Sequence, residues 1–315
     1  MAMSGDGMKA VRIHRFGDES VLTVENVPIP QPGPGDVLVR VHAAAVNPVD
    51  SLVRRGLFAV SDRPMPWILG WDFAGTVVAV GSGTTRWAVG DVVYGRPSLA
   101  RDGSYAQYLA VDAGEIAAVP RTLSLESAAA VPLVTLTAWK ALFDLGGLEA
   151  GKTVLVHAGA GGVGTMAIQL ARHRGAKVVA TASGDGVELA RSLGADEVID
   201  HRGEDFAARG RFADVVLDAV GGETLERSYN VVASGGALVT IAGAPNEEKA
   251  AELGISVHTF VLDSNGPRLS EIAALVDAGE LRPVVSHVLD LDDVAQAHRL
   301  IDSGRTRGKI VLRVR

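Results

Sequence analysis

The chain has no cysteine. That absence excludes disulfides, thiolate nucleophiles and every zinc site built on a thiolate ligand, structural or catalytic. No uninterrupted apolar stretch approaches the roughly 18 residues that a membrane-spanning helix requires. Met1 to Gly7 is small and polar, without the apolar centre of a secretory leader. There is no basic run either. Lys and Arg number 30 against 37 Asp and Glu, a formal net charge of -7, and without clustered cations nucleic acid is not an expected partner. The histidines show no metal-ligand spacing, and there are no repeats, low-complexity tracts or long linkers. What is left is a globular, acidic chain of 315 residues, 47% hydrophobic, long enough for about two domains, with the cytoplasm as its expected location.

Its most informative stretch is His157-Ala158-Gly159-Ala160-Gly161-Gly162-Val163-Gly164. Before it, Thr153 to Val156 is short and β-branched; after it, Met166, Ala167 and Leu170 recur at helical spacing until Gly175. Gly159, Gly161 and Gly164 therefore fit G-x-G-x-x-G between a strand and a helix, the pattern of a dinucleotide site. The first glycine is expected to allow the tight turn, the second to let a pyrophosphate approach, and the third to let the helix pack on the strand. Free amides and the positive end of the helix dipole would hold the pyrophosphate.

Up to about residue 122, short alternating runs such as Val37 to Val41 and Thr76 to Val80 are punctuated by Pro and Gly, and this part reads as β-rich. From 123 to 262, strands alternate with helices. Lys177 to Thr181, Glu197 to Asp200, Asp214 to Asp218, Ala237 to Ile241 and Ile255 to Phe260 are the further strand candidates. Such alternation implies a parallel sheet covered on both faces. The tail adds helices at Arg268 to Asp277 and about Val294 to Ile301, the segment Pro283 to Leu289, and a last strand at Ile310 to Val314. The fold class is thus α/β. One domain comprises 1–122 and 263–315, and a doubly wound parallel-sheet domain comprises 123–262.

Gly70-Trp71-Asp72-Phe73-Ala74-Gly75, Gly90-Asp91-Val92-Val93, Gly103-Ser104-Tyr105-Ala106-Gln107-Tyr108, Leu136-Thr137-Ala138-Trp139, the glycine run and Gly308-Lys309-Ile310-Val311-Leu312 follow one another in this order. The order and the motifs resemble the medium-chain dehydrogenase/reductase superfamily over nearly the whole chain. The resemblance implies a GroES-like catalytic domain beside a Rossmann domain. In the zinc alcohol dehydrogenases of that superfamily the first motif reads Gly-His-Glu, and its histidine binds the metal. Here Trp71 and Asp72 stand in those places. The chain is therefore similar to the zinc-free quinone oxidoreductase branch, which implies NADP(H) as cofactor, no zinc, a quinone or enone substrate and a homodimer.

The same resemblance nominates residues. Asn47-Pro48-Val49-Asp50 matches an Asn-x-x-Asp element beside the nicotinamide. It makes Asn47 a candidate donor to a substrate carbonyl or cofactor ribose and Asp50 a positioning acid. The residues also read as an Asn-Pro turn with Asp50 capping a short helix. Alkene-reducing relatives place a proton-donating tyrosine where this chain has Phe58, which has no hydroxyl. Trp67 and Trp71 are candidates, with Phe58, for the substrate pocket, and core packing explains the tryptophans equally well. Cofactor candidates are Thr137 at the nicotinamide end, Gly159, Gly161, Gly162, Val163 and Gly164 at the pyrophosphate, and Ser183, His201 and Arg202 at a ribose 2′-phosphate. Val220 near the ribose, Thr240, Ile241, Ala242, Gly243, Phe260 and Val261 near the nicotinamide, and Lys309 at a cofactor phosphate complete the set. NADPH is favoured over NADH because Ser183-Gly184 leaves room for a phosphate, although Asp185 falls close to where NAD enzymes carry their acid.

The expected activity is metal-independent transfer of hydride from NADPH to a quinone or α,β-unsaturated carbonyl in the cleft between the domains. Loss of a metal Lewis acid matters less for these acceptors, whose charge after hydride addition is delocalised. An enoyl-thioester reductase and a non-catalytic NADPH-binding protein are the alternatives.

Overall fold

In a computed structural model, residues 7–59 and 63–315 are described. They divide into two compact units. Unit 1 comprises Met1–Leu133, Asp263–Ala278 and Pro283–Arg315; unit 2 comprises Val134–Leu262 and Gly279–Arg282.

In unit 1 the chain runs through strands β1 (Met8–Ile13), β2 (Thr23–Val27) and β3 (Asp36–Val46), then helix α1 (Pro48–Arg54). Strands β4 (Trp67–Ile68), β5 (Phe73–Val80), β6 (Val92–Gly95), β7 (Tyr108–Asp112) and β8 (Ile116–Ala118) follow, then helix α2 (Leu125–Ala129). Helix α3 (Pro132–Trp139) leads into unit 2, which contains β9 (Thr153–Val156), α4 (Gly162–His173), β10 (Lys177–Ala182), α5 (Asp185–Ser192) and β11 (Glu197–Asp200). It continues with β12 (Ala213–Asp218), α6 (Gly222–Ser228), β13 (Val232–Thr240), α7 (Glu247–Leu253) and β14 (Ser256–His258). Helix α8 (Gly266–Asp277), strand β15 (Val285–Asp290), helix α9 (Val294–Asp302) and strand β16 (Lys309–Arg313) return to unit 1.

Unit 1 is built on β3, which is long enough to serve several partners. It pairs with β5 along one edge, and its other edge is shared by β7 at Asp36 to Arg40 and by β16 at Ala43 to Val46. The resulting sheet runs β15-β16-β3-β5-β6-β8, and a second sheet runs β2-β1-β4. Apolar residues of both, including Val11 and Ile13 of the smaller sheet and Val39, Phe73, Leu109 and Ile310 of the larger, form one core. Unit 1 continues past the expected boundary at residue 122 to Leu133, because α2 packs on β3 and β5.

Unit 2 is a parallel sheet in the order β11-β10-β9-β12-β13-β14. Counted from β9 this is the doubly wound order 3-2-1-4-5-6, which reverses direction between β9 and β12. Its strands are apolar on both faces, as burial beneath two helical layers requires. The strand expected at Ile255 to Phe260 shortens to β14, because β13 offers it only Ala237, Leu238 and Val239 as partners. The helix expected from Arg268 begins at Gly266, where the Asn265 side chain accepts the Arg268 amide at 2.9 Å.

Candidate active site

In unit 2 the residues expected at a cofactor lie at or just beyond the carboxyl ends of the parallel strands, except Thr137, which is on α3. After β9, His157 is buried between Thr181 Oγ1 at 3.1 Å and Ser228 Oγ at 3.0 Å, the hydrogen-bonded core role expected of it. The turn differs in detail from expectation. Ala158, with φ 52°, adopts the left-handed conformation, so the tight turn does not depend on Gly159. Gly159 is instead required by crowding, since a Cβ there would lie 2.9 Å from Ala180 Cβ and 3.2 Å from Ile168 Cδ1. A Cβ on Gly164 would drive into the Ala158 carbonyl oxygen and reach 2.8 Å from Gly159 Cα, so this glycine permits the helix–strand approach expected of it. Gly161 is the extended N-cap of α4, and Gly162, Val163 and Gly164 form its first turn. First-turn amides have no acceptor within a helix and carry its positive dipole end, which fits a pyrophosphate.

At the ends of β10 and β11, Ser183 and Gly184 meet His201 and Arg202. Strand pairing sets Ala182 beside Asp200, and the His201 amide donates to the Ala182 carbonyl at 3.2 Å. Arg202 Nη1 comes 3.6 Å from the place a Gly184 Cβ would occupy. A guanidinium thus lies beside the open Gly184, with Asp185 opening α5 next to it. Further along, Asp218 organises the rest of the rim. Its carboxylate accepts the Val220 and Gly221 amides, both at 3.0 Å, and the Thr240 hydroxyl at 2.8 Å. Its carbonyl accepts the Ile241 amide at 2.9 Å. Ala242 donates its amide to Thr240 Oγ1, and Gly221 lets the Ala242 carbonyl pass close by. Ala242, Gly243, Val220 and Val261 are exposed, whereas Thr240 and Thr137 are buried. Phe260 carries the Lys140 ammonium 5.2 Å from its ring centroid.

Unit 1 holds a second cluster. Asn47 and Asp50 flank the start of α1, where the Asn47 amide donates to Asp50 Oδ2 at 2.6 Å. Asp50 Oδ1 accepts the Gly70 amide at 3.1 Å, which ties this corner to the Trp71-Asp72 segment. Asp50 has no exposed surface, and burial pushes its carboxyl up to about 7, against the Asn47 amide and the Lys309 charge, which hold it down. Asp72 is equally buried. Its Oδ1 accepts the Leu133 amide at 2.7 Å, and its Oδ2 accepts Asn47 Nδ2 at 2.9 Å and the Lys309 ammonium at 3.1 Å. Burial raises Asp72, and Lys309 with Asn47 opposes the rise.

Two expectations need revision here. Lys309 does not offer its charge to a cofactor phosphate: its ammonium is buried and donates to Asp72, Asn47 Oδ1 and the Val46 carbonyl, which uses all three hydrogens. The Asn47 carboxamide is spent as well. Its oxygen is on Lys309 and its nitrogen on Asp72 and Ala45, so it has no hydrogen left for a substrate. The pocket candidates separate. Trp67 is a core residue, packed edge-on against Phe16 with centroids 5.8 Å apart, and its Nε1 donates to the Arg63 carbonyl at 3.1 Å. Phe58 is half-buried against the same core. Trp71 belongs to the same core, is buried, and its Nε1 has no partner among the described residues.

Residues 33–121 match the alcohol dehydrogenase GroES-like domain, and residues 193–312 match a family described as zinc-binding dehydrogenase. A 2-methylene-furan-3-one reductase of Solanum lycopersicum is 39% identical over 97% of the chain and 79% of its own length. The chain belongs to the medium-chain dehydrogenase/reductase superfamily. Within it, the chain falls in the quinone oxidoreductase-like branch. The quinone oxidoreductase of Coxiella burnetii is 33% identical, with a TM-score of 0.92 over 98% of this chain and 99% of its own. A mycobacterial protein solved in complex with NADPH is 30% identical, with a TM-score of 0.87 over 97% of this chain and 99% of that one. As a medium-chain reductase the chain is an oxidoreductase with a GroES-like and a Rossmann-type domain.

Sequence reasoning passed over Asp218 and the work of Asp72. Each had a signal: a carboxylate at the end of a mostly apolar strand or just before one, where an unpaired charge is costly. Among the described residues no group of three or more His, Cys, Asp or Glu is placed to hold a metal ion, and no helix is long and apolar enough to cross a membrane.

Proposed function

We propose that this chain is a metal-independent, NADPH-dependent reductase of quinones and α,β-unsaturated carbonyls, acting as a cytoplasmic homodimer on small molecules. The observation that carries the reading is the buried pair of Lys309 with Asp72. Asp72 takes the position of the acid in the Gly-His-Glu motif of zinc enzymes. Here that acid already has a cation of the protein's own, and its neighbour is a tryptophan, which is no metal ligand.

Without a Lewis acid, a simple ketone gains little support as charge builds on its oxygen. A quinone or enone spreads that charge through its own π-system, so hydrogen-bond donors suffice. When bound, the nicotinamide supplies the hydride. The chain's residues hold and orient: the first turn of α4 takes the pyrophosphate, and Ser183, His201 and Arg202 take the ribose phosphate. Val220 and Thr240 to Gly243, arranged by Asp218, support the nicotinamide side with Thr137, Phe260 and Val261. Asn47 and Asp50 serve as positioning residues for the Gly70-Trp71-Asp72 segment. With Phe58 in place of a tyrosine, the proton that completes reduction comes from water. Reports by its relatives' names agree in kind: one is a furanone reductase and another a quinone oxidoreductase.

The cofactor assignment is tested by Arg202→Ala. Hydrogen bonds to charged groups are worth about 1.5–3 kcal/mol, so the preference for NADPH over NADH should fall roughly 10- to 100-fold. An unchanged ratio of kcat/KM for the two cofactors would place the 2′-phosphate elsewhere.

A further inference from the structure

Among the described residues three buried N–H donors in unit 1 have no acceptor: Nε1 of Trp71, a residue 1% exposed, Nε of Arg96, a residue 3% exposed, and Nε2 of His298, whose Nδ1 accepts from Arg54. The antiparallel pairing of Phe73 with Gly95 brings Trp71 and Arg96 to the same end of the β5–β6 pair. Buried polar groups in a folded protein are nearly always satisfied, and one that is not points to a missing partner. The protein's other indoles follow that rule where their partners are defined. Trp67 Nε1 donates to the Arg63 carbonyl at 3.1 Å, and Trp87 Nε1 to the Ala113 carbonyl at 3.0 Å. Trp71 departs from it in the segment held most firmly. The Gly70 amide is on Asp50 and the Gly70 carbonyl accepts the Ser104 amide at 2.8 Å. The Asp72 carbonyl accepts Ser104 Oγ at 2.7 Å, and the Asp72 side chain is fixed by Asn47, Lys309 and Leu133. Arg96 is held by one bond, from Nη1 to Ser264 Oγ at 3.1 Å.

We propose that the Trp71 indole N–H is the hydrogen-bond donor to the carbonyl oxygen of the quinone or enone, with the Arg96 guanidinium adding positive potential at that end of the strand pair. The proposal rests on the reductase reading and names the donor that faces the developing charge. Hydride adds to the electrophilic carbon, the π electrons move onto oxygen, and the donor strengthens its bond to the enolate or phenolate. Water then delivers the proton to the anion, and Trp71 keeps its own. Neither Asn47, whose amide is spent, nor Phe58, which has no hydroxyl, competes for the role. The firm mounting of the segment matches what a donor needs in order to lose no energy to reorganisation.

The test is Trp71→Phe in the full chain, which removes the N–H and keeps an aromatic ring. Loss of one preorganised donor predicts a fall of roughly 100-fold in kcat/KM for 9,10-phenanthrenequinone and for 3-penten-2-one, with NADPH affinity unchanged by fluorescence titration. A second measurement uses the wild-type protein labelled with 15N at its indoles. Adding 3-penten-2-one to the NADP+ complex should move one indole N–H resonance downfield. Wild-type kcat/KM in Trp71→Phe, or indole resonances unmoved at saturating enone, would overturn the proposal while leaving the reductase reading intact. A wild-type protein inactive with every acceptor would remove the reading and the proposal together.

Discussion

Two buried imidazoles set the acid limit of this protein. Burial lowers His157 from 6.5 to about 4 and, with Arg54 nearby, lowers His298 to about 3. The unfolded chain takes up a proton at each ring below pH 6.5 that the folded chain refuses, so each costs stability as the pH falls from 6.5 toward 4, on the order of 3 kcal/mol or more in full. Asp50 acts in the opposite sense. Its folded value of about 7 lies above 3.8, so the stability it contributes in acid is lost as the pH rises through 7. Asp72 and Glu115, which burial also raises, act with Asp50, so the rings are read by difference: in His157→Gln the change in unfolding free energy from pH 4 to 6.5, followed by urea titration, should be less positive than in wild type. An unchanged slope would mean that the ring titrates normally. At this scale the need for Gly164 was legible because its crowding arises from Ala158 and Gly159 on the same strand–turn–helix unit, whereas Gly159 is crowded chiefly by Ala180 of the neighbouring β10. The partner of Asp72 was not legible, because Lys309 lies 237 residues away in sequence and nothing local announces the pairing.

At the scale of elements, one cluster joins four segments: the end of β3, the start of α1, the residues before β5 and the first residue of β16. Lys309→Met leaves the Asp72 carboxylate buried without its cation, and breaking a buried pair in this way costs about 3–5 kcal/mol. Lys309→Met combined with Asp72→Asn should recover much of that loss, because the amide oxygen still accepts the Leu133 amide and no uncompensated charge remains. A single variant within about 0.5 kcal/mol of wild type in urea denaturation would contradict the assigned role. Most elements could be read from pattern: β9 and β11 have the expected bounds, and α4 follows the expected helical spacing. Strand β14 could not be bounded from its own residues, since its length is set by what β13 presents.

For the whole molecule, β14 is the outer strand of the unit 2 sheet, and its free edge calls for a cover. A second copy pairing there predicts twice the 32.7 kDa chain mass by light scattering at micromolar concentration; the chain mass alone would refute the dimer. The two-part organisation was legible because the change from period-2 runs to alternating strands and helices is a property of long stretches. The tail was expected to return whole to the first domain; Asp263–Ala278 and Pro283–Arg315 fall in unit 1, but Gly279–Arg282 falls in unit 2. The central claim is reduction without a metal. Its most direct test is the rate of NADPH oxidation by 9,10-phenanthrenequinone and 3-penten-2-one before and after exhaustive dialysis against a chelator. Turnover with both acceptors, equal before and after, is the predicted result. Activity that disappears with the chelator and returns with added zinc would contradict the account.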